Sequence, residues 1–135
     1  MAQGPVELIQ RVPIFDGLER RDLERIAGSM KQRTFRAGDR VTSEGQGGVG
    51  FFVIEDGSAK VTIGGAERRT LGPGDYFGEV ALLTDSPRTA TITAETDLRC
   101  YGMTSWDFKP LVESHSSIAW HLLQAMAKNY QSPQH

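Results

Sequence analysis

The 135 residues contain one cysteine, Cys100, which excludes an internal disulfide and a thiolate metal cluster. The three histidines all lie at position 115 or beyond, so the middle of the chain offers no imidazole for a metal held inside a barrel. No metal and no metal-dependent catalysis are expected. A Gly-x-Ser-x-Gly nucleophile elbow is missing too, and Cys100 sits in a strand-like pattern, where a thiol is expected to be buried and inert. The longest aliphatic or aromatic runs, Phe51–Ile54 and Val80–Leu83, are four residues each. A membrane span needs about 20, so no membrane partner is expected. The N-terminus, Met1-Ala2-Gln3-Gly4-Pro5, lacks a basic segment followed by an apolar one, so no signal peptide is visible. A reducing cytoplasm is the simplest compartment. Charge of one sign is also lacking: 15 basic against 17 acidic residues give −2. The isoelectric point near 5.9 argues against direct nucleic-acid binding.

What is present suits one soluble domain over residues 1–135, with 39% apolar and 24% charged residues. Its texture changes twice. A helical start over about residues 5–30 carries Leu23, Ile26, Ala27 and Met30 at helical spacing. Asp16 and Glu19 read as a capping box for it. Glu19 through Arg25 reads as a solvated face with i,i+4 pairs. From about 33 to 103, Gly38-Asp39, Asp56-Gly57, Gly64-Gly65 and Gly72-Pro73-Gly74-Asp75 divide short β-rich segments. Asp56-Gly57 predicts a hairpin between Phe51–Ile54 and Ala59–Ile63, and Gly64-Gly65 predicts another. Many short strands at this spacing suggest an antiparallel barrel or roll, giving an α+β, mainly β fold. Helical periodicity returns over about 105–131. Ser105 is expected to cap a first segment that Pro110 kinks or divides. Ser116 or Ser117 caps a last helix with Ala119, Leu122, Leu123, Met126 and Tyr130 in one stripe.

Gly45-Gln46-Gly47-Gly48-Val49-Gly50 has the glycines of a phosphate loop, but a β segment follows where such a loop needs a helix, so a plain turn is expected. The paired Arg68-Arg69 reads equally as an anion attractor and as an edge-strand guard against aggregation. The segment Gly74 to Thr91 is different. There Val80, Ala81, Leu82 and Leu83 can form about one helical turn, whose first amides lack partners. Pro87 then leads to Arg88. Amides and a guanidinium fork suit a phosphate, and small residues (Gly78, Ala81, Ala90) let a ligand approach the backbone. Glu79 beside such a site makes sense as an acceptor for a neutral hydroxyl, as on a sugar. An internal Glu79–Arg88 or Asp85–Arg88 ion pair accounts for the same residues.

Phe77-Gly78-Glu79-Val80-Ala81-Leu82-Leu83 with Pro87-Arg88-Thr89-Ala90-Thr91 resembles the phosphate-binding cassette of cyclic-nucleotide-binding domains. The resemblance extends to Val12-Pro13-Ile14-Phe15, Phe35-Arg36-Ala37-Gly38-Asp39 with Glu44-Gly45, and Phe51-Phe52-Val53-Ile54 with Gly57. It implies an antiparallel, jelly-roll-like β-roll flanked by N-terminal and C-terminal helices, holding cAMP or cGMP as ligand and no cofactor. Carried onto this chain, it implies that Glu79 accepts from the ribose 2′-hydroxyl and Gly78 adds a backbone contact. Arg88 clamps the cyclic phosphate. Amides around Val80, Ala81 and Leu82, with those near Thr89 and Ala90, complete the cradle. The Thr89 hydroxyl serves a phosphate oxygen or the amino group of a syn guanine. Val61 and Ile63 are base-contact candidates, and Trp120, Gln124 and Lys128 are candidates for a lid on the last helix. The resemblance further implies a non-enzymatic sensor whose C-terminal helices move on binding, free-standing or within a larger regulator, with a homodimer or an effector as partner. The alternative is a β-roll interaction module that keeps the scaffold without binding nucleotide.

Overall fold

The computed structural model describes residues 5–42, 50–78 and 90–130. Its helical start comprises α1 (Pro5–Ile9), a 3-10 turn (Pro13–Phe15) and α2 (Arg20–Gly28). Eight strands follow: β1 (Lys31–Phe35), β2 (Arg40–Thr42), β3 (Phe51–Asp56), β4 (Ala59–Ile63), β5 (Ala66–Leu71), β6 (Tyr76–Phe77), β7 (Thr91–Ala94) and β8 (Leu98–Met103). Two helices, α3 (Ser105–Ser114) and α4 (Ser116–Tyr130), complete it. The strands form two four-stranded antiparallel sheets, in the orders β1-β8-β3-β6 and β2-β7-β4-β5. This is the expected jelly-roll-like β architecture with helices at both ends.

Period-2 alternation explains why Phe51–Ile54 is buried without a break. Phe51 and Val53 face the helices, where Phe15, Phe108, Ile118 and Leu122 join them. The Phe15 and Phe51 rings meet edge to face at 5.7 Å. Phe52 and Ile54 face the second sheet and join Val61, Leu71, Phe77, Ile92, Leu98 and Cys100. The Phe52 and Phe77 rings stack at 5.2 Å. The first sheet therefore separates two apolar cores, one against the helices and one inside the roll.

The Gly64-Gly65 hairpin forms as expected, with Ile63 opposite Ala66. The Asp56-Gly57 hairpin does not. Among the described residues β3 pairs with β6 and β8, whereas β4 pairs with β5 and β7. Asp56-Gly57 is thus a corner by which the chain leaves one sheet for the other. Gly57 has φ +93°, and a Cβ there would collide with the Asp97 carbonyl oxygen. Bonds from Ser58 N–H to Thr96 Oγ1 (3.0 Å) and from Glu95 N–H to the Ser58 carbonyl (2.9 Å) tie this corner to the turn before β8.

The helix starts also differ from expectation. Asp16 ends the 3-10 turn, and Glu19 is the N-cap of α2 without a side-chain capping bond. For α3 the cap is Thr104, not Ser105. Its hydroxyl accepts from the Asp107 N–H at 3.3 Å and donates to the Asp107 carboxylate at 3.1 Å. Pro110 lies inside α3 without dividing it. In α4 the inward face is Ile118 and Leu122, while Trp120, Leu123 and Met126 are exposed. The expected stripe therefore straddles two faces of the helix.

Candidate functional site

Strand β4 sits between β7 and β5, and its alternation aims Ala59, Val61 and Ile63 into the roll. Val61 is buried in the inter-sheet core, whereas Ile63, at the strand end, is 39% exposed. The register pairs Thr62 with Thr91, which sets Ile63 and Ala90 at adjoining strand ends. Ala90 packs half-buried against the same core. Gly78 follows β6, the edge strand of the first sheet. The roll thus brings Val61, Ile63 and Ala90 to one end of the second sheet. Glu79, Val80, Ala81, Leu82, Arg88 and Thr89, between Gly78 and Ala90, lie outside the described residues, as does the Gly45 loop.

The lid candidates stand elsewhere. Gln124 and Lys128 line a cavity of about 470 Å³ together with Gln10, Arg11, Asp16 and His121. This cavity lies between α4 and the N-terminal helical segment, and no β4 residue lines it. Trp120 is exposed. In this arrangement of α4, then, Gln124 and Lys128 do not share a cavity with Val61 or Ile63.

One functional-looking group was hidden in the sequence. Asp22, in the charged stretch expected to be a solvated face, is 1% exposed. Arg25 Nη1 donates to its carboxylate at 2.6 Å, and the Ser117 hydroxyl donates to the other oxygen at 2.6 Å. Burial on its own raises a carboxyl pKa, but the Ser117 and Arg25 bonds outweigh it and hold Asp22 below its ordinary value. The neighbouring charges do behave as a solvated face. Arg20 pairs with Glu24 (3.5 Å) and Arg21 with Glu19 (3.3 Å), all well exposed, and exposed pairs contribute about 0.2–1 kcal/mol each.

A second buried carboxylate, Glu55, accepts from Arg99 Nε at 2.7 Å and from the Tyr101 hydroxyl at 3.4 Å. Burial first, and Glu55 second, push the Tyr101 hydroxyl pKa up. These partners are satisfied among themselves, which suits a structural role. Cys100 is fully buried, and desolvation pushes its thiol up to about 12, far from a nucleophile's range. Among the described residues no group of three or more His, Cys, Asp or Glu could hold a metal ion. Nor is any described helix long and apolar enough to cross a membrane.

The family model for the cyclic nucleotide-binding domain matches residues 32–115. A cAMP-dependent protein kinase regulatory subunit from Yarrowia lipolytica is 41% identical over 93 residues, covering 67% of this chain and 25% of that protein. A cGMP-dependent protein kinase from Toxoplasma gondii is 39% identical over 94 residues, covering 70% of this chain and 10% of the kinase. The chain spans a quarter or less of these curated relatives. Among solved structures, the N-terminal domain of a transcriptional regulator from Streptomyces coelicolor A3(2) superposes with a TM-score of 0.85 at 27% identity, over 92% of this chain and 90% of that one. A cyclic nucleotide-binding-like protein from Brucella abortus gives 0.75 at 22% identity, over 82% of this chain and 99% of that one, a likeness of fold.

Proposed function

Since the chain belongs to the cyclic nucleotide-binding domain family, whose members bind rather than catalyse, we propose that it is a receptor for cAMP or cGMP that repositions its C-terminal helices on binding. One observation carries this reading: the family match over residues 32–115 encloses both Glu79 and Arg88, the two charged residues such a site requires. Arg88 neutralises the cyclic phosphate. Backbone amides of Val80, Ala81, Leu82, Thr89 and Ala90 complete the anion cradle, and the Thr89 hydroxyl serves a phosphate oxygen or the amino group of a syn guanine. Glu79, with the Gly78 backbone, holds the ribose. Val61 and Ile63 offer an apolar surface to the base, and the partial exposure of Ile63 at the end of the roll supports that assignment.

The helical half of the proposal rests on how α4 is held. Its first turns are fixed by buried Ile118 and Leu122 and by the Ser117 bond to Asp22. Away from that face, Trp120, Leu123 and Met126 leave apolar surface uncovered. A helix anchored at one end with an apolar face open along its length suits a lever that swings onto a ligand. Trp120, Gln124 or Lys128 would reach the base only after such a swing. A ligand drives it by binding the closed arrangement more tightly than the open one. The receiver of the signal would be an effector domain or a second copy of the chain, in the cytoplasm.

The test is competitive titration of cAMP and cGMP against the 135-residue protein. Saturable binding of one molecule per chain by at least one nucleotide is expected. Saturation by neither overturns the proposal in favour of the scaffold-only interaction module.

A further inference from the structure

The cavity of about 470 Å³ between α4 and the N-terminal segment falls within the size range of small-molecule sites. Donors dominate its walls. Arg11 comes from the turn after α1, His121 and Lys128 from α4 two turns apart, and the amides of Gln10 and Gln124 stand on the two sides. Asp16 is the one carboxylate in the lining, and among the described residues it forms no ion pair with Arg11 or Lys128. The His121 ring is oriented by its Nδ1, which donates to the Ser117 carbonyl at 3.1 Å, since a carbonyl can only accept. Its Cδ2–Nε2 edge lies over Gly17, where a Cβ would stand 3.3 Å from Cδ2 and 3.4 Å from Nε2. The imidazole is therefore held with its Cδ2–Nε2 edge against Gly17, itself a lining residue of the cavity.

We propose that this cavity is an anion site for a small phosphate-bearing molecule with at least two negative charges. An arginine fork on one wall and a lysine on the facing helix suit a group whose oxygens point in several directions. Glutamine amides add neutral donors, which a phosphate accepts from but a metal cation does not use. Such a ligand bridges α4 to the N-terminal segment, so it favours the helix position described here over any in which α4 has swung away. None of the described lining residues belongs to the proposed cyclic-phosphate cradle.

Inorganic pyrophosphate titrated calorimetrically into the full chain tests the proposal. Saturable binding is expected, weakened at least tenfold in the Arg11→Gln/Lys128→Gln double variant and tightened in Asp16→Asn. The Arg68→Gln/Arg69→Gln double variant removes the same charge from the exposed β5 edge and should leave binding unchanged. Equal losses in the two double variants would reduce the effect to net charge and overturn the site. Loss in Arg88→Gln would move the pyrophosphate to the other site, and absence of saturation would likewise overturn the proposal. Circular dichroism of each variant separates lost binding from lost folding, and the tightening in Asp16→Asn is a gain that misfolding cannot mimic.

Discussion

The Ser117 hydroxyl donates a 2.6 Å hydrogen bond to the Asp22 carboxylate across 95 residues of sequence. It joins the first turn of α4 to α2, and the second oxygen of the same carboxylate holds Arg25. Both partners favour the ionised form, so a carboxyl whose pKa burial alone would raise is held below its ordinary value. The bond fixes the end of α4 about which the rest of the helix would turn.

The pH dependence of stability follows from that charge. A carboxyl held below the ordinary 3.8 contributes stability that is fully present above that pH and is lost as the pH falls through the folded-state value. Asp22→Asn should cost about 1–3 kcal/mol at pH 7, and the gap from wild type should narrow by pH 3. Urea unfolding of both proteins at the two pH values measures it. An equal gap at both would remove the charge from the account.

Gly57 marks the place where the chain changes sheets, and it tolerates no side chain. Gly57→Ala combines a left-handed backbone with a collision against the Asp97 carbonyl. A destabilisation of about 2–4 kcal/mol is expected. Gly65→Ala, at φ +81° with nothing within 4 Å, carries only the backbone term and should cost about 1–2 kcal/mol. Urea midpoints of the two variants separate collision from strain.

How much of this was legible in the sequence depended on whether the determinant was local. Gly64-Gly65 fixed a reversal between neighbours, and its hairpin is there. Asp56-Gly57 carries an equally good turn signal, yet β4 finds its partners in β5 and β7. A dipeptide specifies a change of direction, not the strand that the returning chain meets. Apolar spacing in α4 likewise identified a helix but not the face that packs, because that choice belongs to Phe15, Phe108 and the sheet beneath them. Asp22 was indistinguishable from the charges around it, since its partner Ser117 lies far along the chain. The cassette residues were readable as a continuous motif, and the family match encloses them. The cavity at Arg11, His121 and Lys128 had no such motif, because only the packing of α4 against the N-terminal turn assembles it.

Arg88→Ala should weaken cyclic-nucleotide binding about 30- to 1000-fold, equivalent to roughly 2–4 kcal/mol. A charge-assisted bond to an anion contributes about 1.5–3 kcal/mol, and the lost guanidinium also leaves the phosphate unneutralised. Glu79→Ala removes an acceptor for a neutral hydroxyl and should cost less. Calorimetric titration of both variants gives the order. Unchanged affinity in Arg88→Ala would show that the phosphate is held elsewhere.

Amide exchange across the C-terminal helices tests the lever. Ile118 is fully buried and Ser117 is bonded to Asp22, so the first turns of α4 should be protected whether or not nucleotide is bound. From Leu123 onward the exposed apolar side chains contribute little burial, and exchange there should be fast in the free protein. If closure covers that face, saturating nucleotide slows exchange selectively beyond Leu122, while Ser117→Ala raises exchange in the first turns. Identical exchange over residues 105–130 with and without nucleotide would mean that binding is not transmitted to these helices, and the signal would have to leave through another part of the roll.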